Sequence, residues 1–216
     1  LNQKNPYLAN YLIQNSLWWI EYSGMDGIRM DTYPYPDKAM MARWAKRVLK
    51  EYPEFNIVGE SWLQKESMTA YWQQNFQSKD RYQSYLPSVT DFPLNAAIIR
   101  ALNEPESVNG GLLGLYYTLA QDFLYPNANK NLIFLDNHDL NRIYTSLHHN
   151  FNKFKVAMSI LLTIRGIPQI YYGTEILMDG TESKGHGYIR QDFPGGWLGD
   201  KKDVFGMKNL THDQVM

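Results

Sequence analysis

Short apolar runs alternate with longer segments of helical period along this chain, and the runs end in polar or acidic residues. Gly27–Asp31, Phe55–Gly59, Ser88–Phe92, Asn131–Asp136 and Pro168–Gly173 read as strands. Between them, apolar residues recur at helical spacing, as in Met41, Trp44, Ala45, Val48 and Leu49. Such alternation predicts βα units and a parallel sheet. Asn5-Pro6 and Pro36-Asp37 are helix starts, and Gly24 and Pro53 are stops. Further helices are expected over Asn95–Leu102, Leu112–Phe123 and Phe151–Ile164, and the text after Gly180 is glycine-rich and irregular. In a parallel β/α barrel the C-terminal strand ends share one face, where chemistry is built. Here those ends carry Asp31, Glu60, Asp91 and Asn137-His138-Asp139. Five strands are legible, whereas a closed barrel takes eight over roughly 250 residues.

Paired carboxyls at neighbouring strand ends suit glycoside hydrolysis. One group attacks or activates water while the other protonates the leaving oxygen, and a retaining enzyme sets them about 5 Å apart. Strands lie about 4.8 Å apart, so Asp31 and Glu60 at consecutive ends meet that need. Asp139, two strands on, is placed to steady positive charge in an oxocarbenium-like transition state.

Four segments carry a family resemblance. Gly27-Ile28-Arg29-Met30-Asp31 resembles the nucleophile strand of the α-amylase superfamily (glycoside hydrolase family 13), and Val58-Gly59-Glu60-Ser61-Trp62 its acid/base strand. Phe134-Leu135-Asp136-Asn137-His138-Asp139 is similar to its transition-state strand, and Ile170-Tyr171-Tyr172-Gly173-Thr174-Glu175 to its last strand. The resemblance implies an α/β fold, a partial TIM (β/α)8 barrel with strands 4 to 8 and the N-terminal strands missing. Residues 1–216 would be the C-terminal part of that catalytic domain, with 180–216 a loop-rich segment after strand 8. It implies Asp31 as nucleophile, Glu60 as acid/base and Asp139 as third catalytic carboxylate. Arg29 would orient Asp31 and keep it ionised, and His138 would hold sugar hydroxyls. Trp62 fits the Gly-Glu-x-Trp pattern of neopullulanases and cyclomaltodextrinases, where it would stack on sugar. Arg190, in Ile189-Arg190-Gln191-Asp192-Phe193-Pro194, resembles that subgroup's arginine loop and is a candidate substrate contact. Thr32-Tyr33-Pro34-Tyr35 departs from the subgroup's Val-Ala-Asn-Glu, which leaves α-1,4 against α-1,6 preference open. The third-strand Asp-x-x-x-x-Asn-His motif, with its calcium-binding asparagine, is absent from the chain. The implied activity is double displacement on starch, pullulan or maltooligosaccharides, the fragment alone being expected inactive. A transglycosylase or branching enzyme with the same triad is the alternative, as is a non-catalytic amylase-fold protein, though the latter sheds catalytic carboxylates.

Composition narrows the partners. Hydrophobic residues make up 44% of the chain, enough for a core. Lys and Arg number 21 against 22 Asp and Glu, so no basic patch for nucleic acid is expected. The absence of cysteine excludes a disulfide scaffold and a cysteine metal site. No apolar run approaches the ~20 residues of a membrane span. No metal ligand set and no cofactor are expected within the fragment, and calcium dependence of the full-length enzyme is left open. Leu1–Pro6 lack a signal peptide and an initiator Met, so the chain is expected to start inside a longer protein. The resemblance favours a periplasmic or secreted site. An unclosed barrel edge at Gly27–Asp31 is expected to make the isolated chain poorly soluble or to associate it through that edge, a homo-dimer being one form. Some candidates have plainer readings: Arg29 as a structural salt bridge, Asp91 as either a site residue or a structural one, Trp18, Trp19 and Trp44 as core or helix-packing residues, and His148-His149 as a solvated loop.

Overall fold

The computed structural model describes residues 1–108 and 110–215. Nine α-helices appear among them: α1 (Pro6–Ser23), α2 (Lys38–Glu51), α3 (Glu66–Ala70), α4 (Phe92–Asn103), α5 (Gly111–Ala120), α6 (Ile143–Ser146), α7 (Phe151–Thr163), α8 (His186–Ile189) and α9 (His212–Val215). Five strands appear: β1 (Gly27–Met30), β2 (Asn56–Gly59), β3 (Ser88–Val89), β4 (Leu132–Phe134) and β5 (Ile167–Gln169). The chain divides into two compact units. The first holds Leu1–Leu94, Tyr116–Ile133 and Arg165–Ile167; the second holds Asn95–Leu115, Phe134–Ile164 and Pro168–Met216. No helix among the described residues is long and apolar enough to cross a membrane.

In the first unit β1, β2 and β3 form a parallel sheet in chain order, with Met30 opposite Gly59 and Gly59 opposite Val89. A parallel bridge from Thr90 to Leu132 continues the series, and β4 pairs with β5. Asn5 starts α1 by accepting the Tyr7 and Leu8 N–H groups, and Gly24 ends it in the left-handed conformation at φ 67°. Asp37 caps α2 through the Met40 N–H. Ala9, Ile13 and Ile20 of α1 are buried, as are Met41, Trp44, Ala45 and Val48 of α2, in one cluster with Ile57 and Val89. The Trp44 indole donates to the Ser16 hydroxyl at 2.9 Å, which satisfies its only polar atom. Trp18 and Trp19 depart from the core reading. They lie off the buried stripe of α1, are about half exposed, and cluster with Tyr22.

Several elements are shorter than the sequence predicts, β3, β4 and β5 most of all, and α5 ends at Ala120 rather than Phe123. β3 stops at Val89 because the Asp91 carboxylate accepts the Leu94 N–H at 3.0 Å and turns the chain into α4. β5 stops at Gln169, and a turn follows in which the Thr174 N–H bonds Tyr171 O and Gly173 takes φ 83°. The short helices α3, α6, α8 and α9 are not predicted, being too brief to show a period, and the last two interrupt the stretch after Gly180 that the sequence reads as irregular.

The second unit packs Phe134, Leu135, Ile143, Leu147, Phe154 and Leu161 as a buried core. Arg142 is fully buried there. Its guanidinium donates to Ile189 O at 3.0 Å and to Tyr172 O, and lies over the Tyr171 ring at 4.2 Å. Asp136, also buried, accepts the Ile143 N–H at 2.9 Å and the Thr174 hydroxyl. Burial pushes its carboxyl up to about 6 against those stabilising hydrogen bonds.

Candidate active site

The parallel register sets the first group of residues. Because Met30 lies opposite Gly59, the next residue on each strand, Asp31 and Glu60, emerge side by side. The Glu60 N–H bonds Met30 O at 2.9 Å and the Tyr33 N–H bonds Glu60 O at 3.0 Å, which pins the two strand ends together. Arg29 reaches both carboxyls. Its Nη1 donates to Asp31 Oδ1 at 3.1 Å and its Nη2 to Glu60 Oε1. The Thr32 N–H donates to Glu60 Oε2 at 3.0 Å, and the Asp31 carboxyl lies within hydrogen-bonding reach of Glu60.

The two carboxyls differ in setting. The Asp31 side chain is 69% exposed and that of Glu60 4%. Burial, chiefly, raises the Glu60 carboxyl above its ordinary range; the neighbouring Asp31 adds to this, while the Thr32 N–H and Arg29 oppose it. A buried carboxyl with raised proton affinity beside an open one is the division expected of an acid and a nucleophile. The plainer reading of Arg29 as a salt bridge also holds, since one guanidinium makes both contacts. Trp62 is partly exposed and stacks on Phe92, with ring centroids 4.9 Å apart and planes 9° apart.

A second group lies in the other unit. The Asn137 side-chain oxygen accepts the N–H groups of Asp139 and Leu140 at 2.8 and 2.9 Å, an Asx turn that fixes the residues between. Asp139 pairs with Arg190 at 2.6 Å and with His138 at 3.1 Å, and Arg190 also donates to His138 O at 2.8 Å. His186 stands 3.8 Å from the same carboxylate, a neighbour that nothing in the motif indicated. Arg190, a weak candidate from sequence, is thus a direct partner of Asp139.

Two candidates belong elsewhere. Asp91 is fully buried; its carboxylate binds Arg165 at 2.6 Å and the Asn131 amide at 3.1 Å, so its role is structural. His149 is exposed, as the loop reading required, yet it pairs with Asp179 and sits with His148 in the left-handed region. Among the described residues, no cluster of three or more His, Asp or Glu is arranged to hold a metal.

Parallel strand ends that present two carboxyls bridged by one arginine define a class, the parallel βα proteins built around an acidic pair. The chain belongs to the alpha-amylase catalytic-domain family, whose model matches residues 1–209. It is 32% identical to alpha-amylase 3 of Dictyoglomus thermophilum over 95% of this chain and 39% of that protein. It is 29% identical to a cyclomaltodextrin glucanotransferase of Bacillus licheniformis over 83% of this chain and 24% of that one. The structure of the Geobacillus thermoleovorans alpha-amylase, solved with acarbose, superposes with a TM-score of 0.77 at 28% identity, covering all of this chain and 43% of that one. The chain therefore spans about two-fifths or less of the proteins it resembles, and the catalytic-domain barrel is the fold it shares.

Proposed function

We propose that this chain carries the nucleophile and the acid/base of a retaining enzyme acting on α-glucosidic bonds. The observation behind the reading is the Asp31–Glu60 pair, bridged by Arg29 and split in exposure. Asp31 attacks the anomeric carbon and forms a glycosyl ester as the bond to the leaving oxygen breaks. Glu60 gives its proton to that oxygen, then takes one from the incoming acceptor. Arg29 keeps the pair oriented and balances the charge. His138, Asp139 and Arg190 form the second functional group, in which the family resemblance implies Asp139 as the third catalytic carboxylate. Trp62 contributes an aromatic face to the sugar on the leaving-group side.

The substrate class is starch, pullulan or maltooligosaccharides, in keeping with relatives named alpha-amylase. Transglycosylation is the second reading, favoured by relatives named cyclomaltodextrin glucanotransferase; it differs only in whether water or a sugar hydroxyl accepts the glycosyl group. The test is made in the full-length protein. Asp31→Asn should lower maltooligosaccharide turnover by roughly four orders of magnitude or more and leave glucan binding near normal. Turnover within tenfold of the parent would remove Asp31 as nucleophile. Chromatography of the products separates hydrolysis from transfer.

A further inference from the structure

The turn after β1 holds a conformation that its sequence does not favour. Thr32 sits at φ 46°, in the left-handed region, where a β-branched residue is an outlier. The strain coincides with a set of contacts to Glu60. From this conformation the Thr32 N–H reaches Glu60 Oε2 at 3.0 Å, the Tyr33 N–H reaches Glu60 O at 3.0 Å, and the Tyr35 N–H closes the turn on Thr32 O at 3.0 Å. Side chain and main chain of Glu60 are both bound by two successive amides.

Something must keep the turn in place, and the packing identifies it. The Tyr33 ring is fully buried and lies where a side chain at Gly59 would be. A Cβ added to Gly59 would stand 2.8 Å from Tyr33 Cγ and 2.6 Å from Leu86 Cδ2, distances that force a displacement. The ring also meets Trp72 edge-on at 5.9 Å. Gly59 immediately precedes Glu60, so the ring that anchors the turn rests on the backbone that carries the carboxyl.

We infer that Thr32 and Tyr33 are positioning residues for Glu60: the strained turn, clamped by Tyr33 against Gly59, aims the Thr32 amide at Oε2 and fixes the carboxyl for proton delivery. The inference rests on the reading of Glu60 as the acid/base and adds the residues that hold it. It also accounts for the Thr-Tyr-Pro-Tyr text after Asp31. Tyr33 supplies the anchoring ring, and Pro34 follows it as the third residue of the turn that Tyr35 closes on Thr32.

The experiment compares two substrates in the full-length protein. α-Maltosyl fluoride has a leaving group that hardly needs protonation, whereas maltooligosaccharides require it. Replacing Thr32 by its α-hydroxy acid turns the amide into an ester, which removes the N–H, keeps the side chain and weakens the Asp31 carbonyl as an acceptor. Maltooligosaccharide kcat/KM should fall about tenfold or more, the scale of a lost hydrogen bond to a charged group, with kcat/KM for the fluoride, which reports the glycosylation step alone, nearly unchanged; the split is read in kcat/KM because both substrates share the second step. Gly59→Ala should give the same split by displacing Tyr33, and Thr32→Gly, which accepts the left-handed conformation and keeps the donor, should retain both activities. Equal losses on both substrates, or no loss with the ester, would overturn the inference. Glu60→Gln is the reference. If it keeps maltooligosaccharide turnover, the reading of Glu60 itself fails. If it shows the split and the ester variant does not, only the positioning role is lost.

Discussion

Without its guanidinium neighbour, Glu60 would keep its burial and its carboxyl neighbour and lose a stabilising cation. Arg29 opposes the rise in Glu60's proton affinity, so Arg29→Met should raise that affinity further. The alkaline limb of kcat/KM, which reports the acid in the free enzyme, should then move to higher pH, and turnover should drop by about a hundredfold or more. A pH–rate series on the full-length protein checks both, and a limb that moved downward would contradict the geometry. At this scale the sequence was most informative where chemistry is local. Asp31, Glu60 and Asp139 are legible because each follows a short apolar run within one motif. Thr32 was not, because left-handed backbone is usually announced by glycine, asparagine or aspartate and threonine announces nothing. Asp91 stayed ambiguous because its partner, Arg165, lies 74 residues away, and no local pattern links them.

Elements are held in register by that same distant pair. Arg165, in the loop between α7 and β5, binds Asp91 at the start of α4 and grips Asp122 with Nε at 2.9–3.0 Å and Nη2 at 2.5 Å. Arg165→Met would leave the fully buried Asp91 carboxylate without its cation, at a cost on the order of 3–5 kcal/mol. Urea denaturation should show the loss, and Asp91→Asn in the same chain should recover part of it, since the stranded charge is then gone. A loss below about 1 kcal/mol would mean that the network is not fully desolvated. Helix positions were largely readable, because α1 and α2 each present an apolar stripe and a side-chain cap in the sequence, and α7 an apolar stripe. Strand lengths were not. β3 and β5 end where a capping carboxylate or a left-handed glycine diverts the chain, and hydrophobic runs continue past both points. The three-residue β4 sits in a longer apolar stretch for the same reason: burial, not pairing, shapes the run.

For the molecule as a whole, β1 is the edge of its sheet, with Ile28 and Met30 only partly buried and β2 as its partner. Open backbone groups on an edge invite further pairing. The 216-residue polypeptide, purified alone, should therefore self-associate, with a mass in analytical ultracentrifugation that rises with concentration. Placing Lys at Ile28 should reduce this, and a parent chain that stays monomeric across the concentration range would contradict it. The parallel βα sheet was evident in the sequence from its rhythm and the barrel class from the family resemblance, whereas the exposure of α1's aromatic face was not, since tryptophan in a helix ordinarily implies burial. That face divides the chain's indoles by their optical surroundings. Trp44, sealed beside Ser16, emits from a dry interior, while Trp18 and Trp19 emit into water, with Tyr22 stacked 4.9 Å from Trp18 and able to pass excitation to it. Of the chain's six tryptophans, then, α1 and its neighbour hold both kinds, one in Trp44 that reports the core between α1 and α2 and one in Trp18 and Trp19 that reports the surface of the same helix.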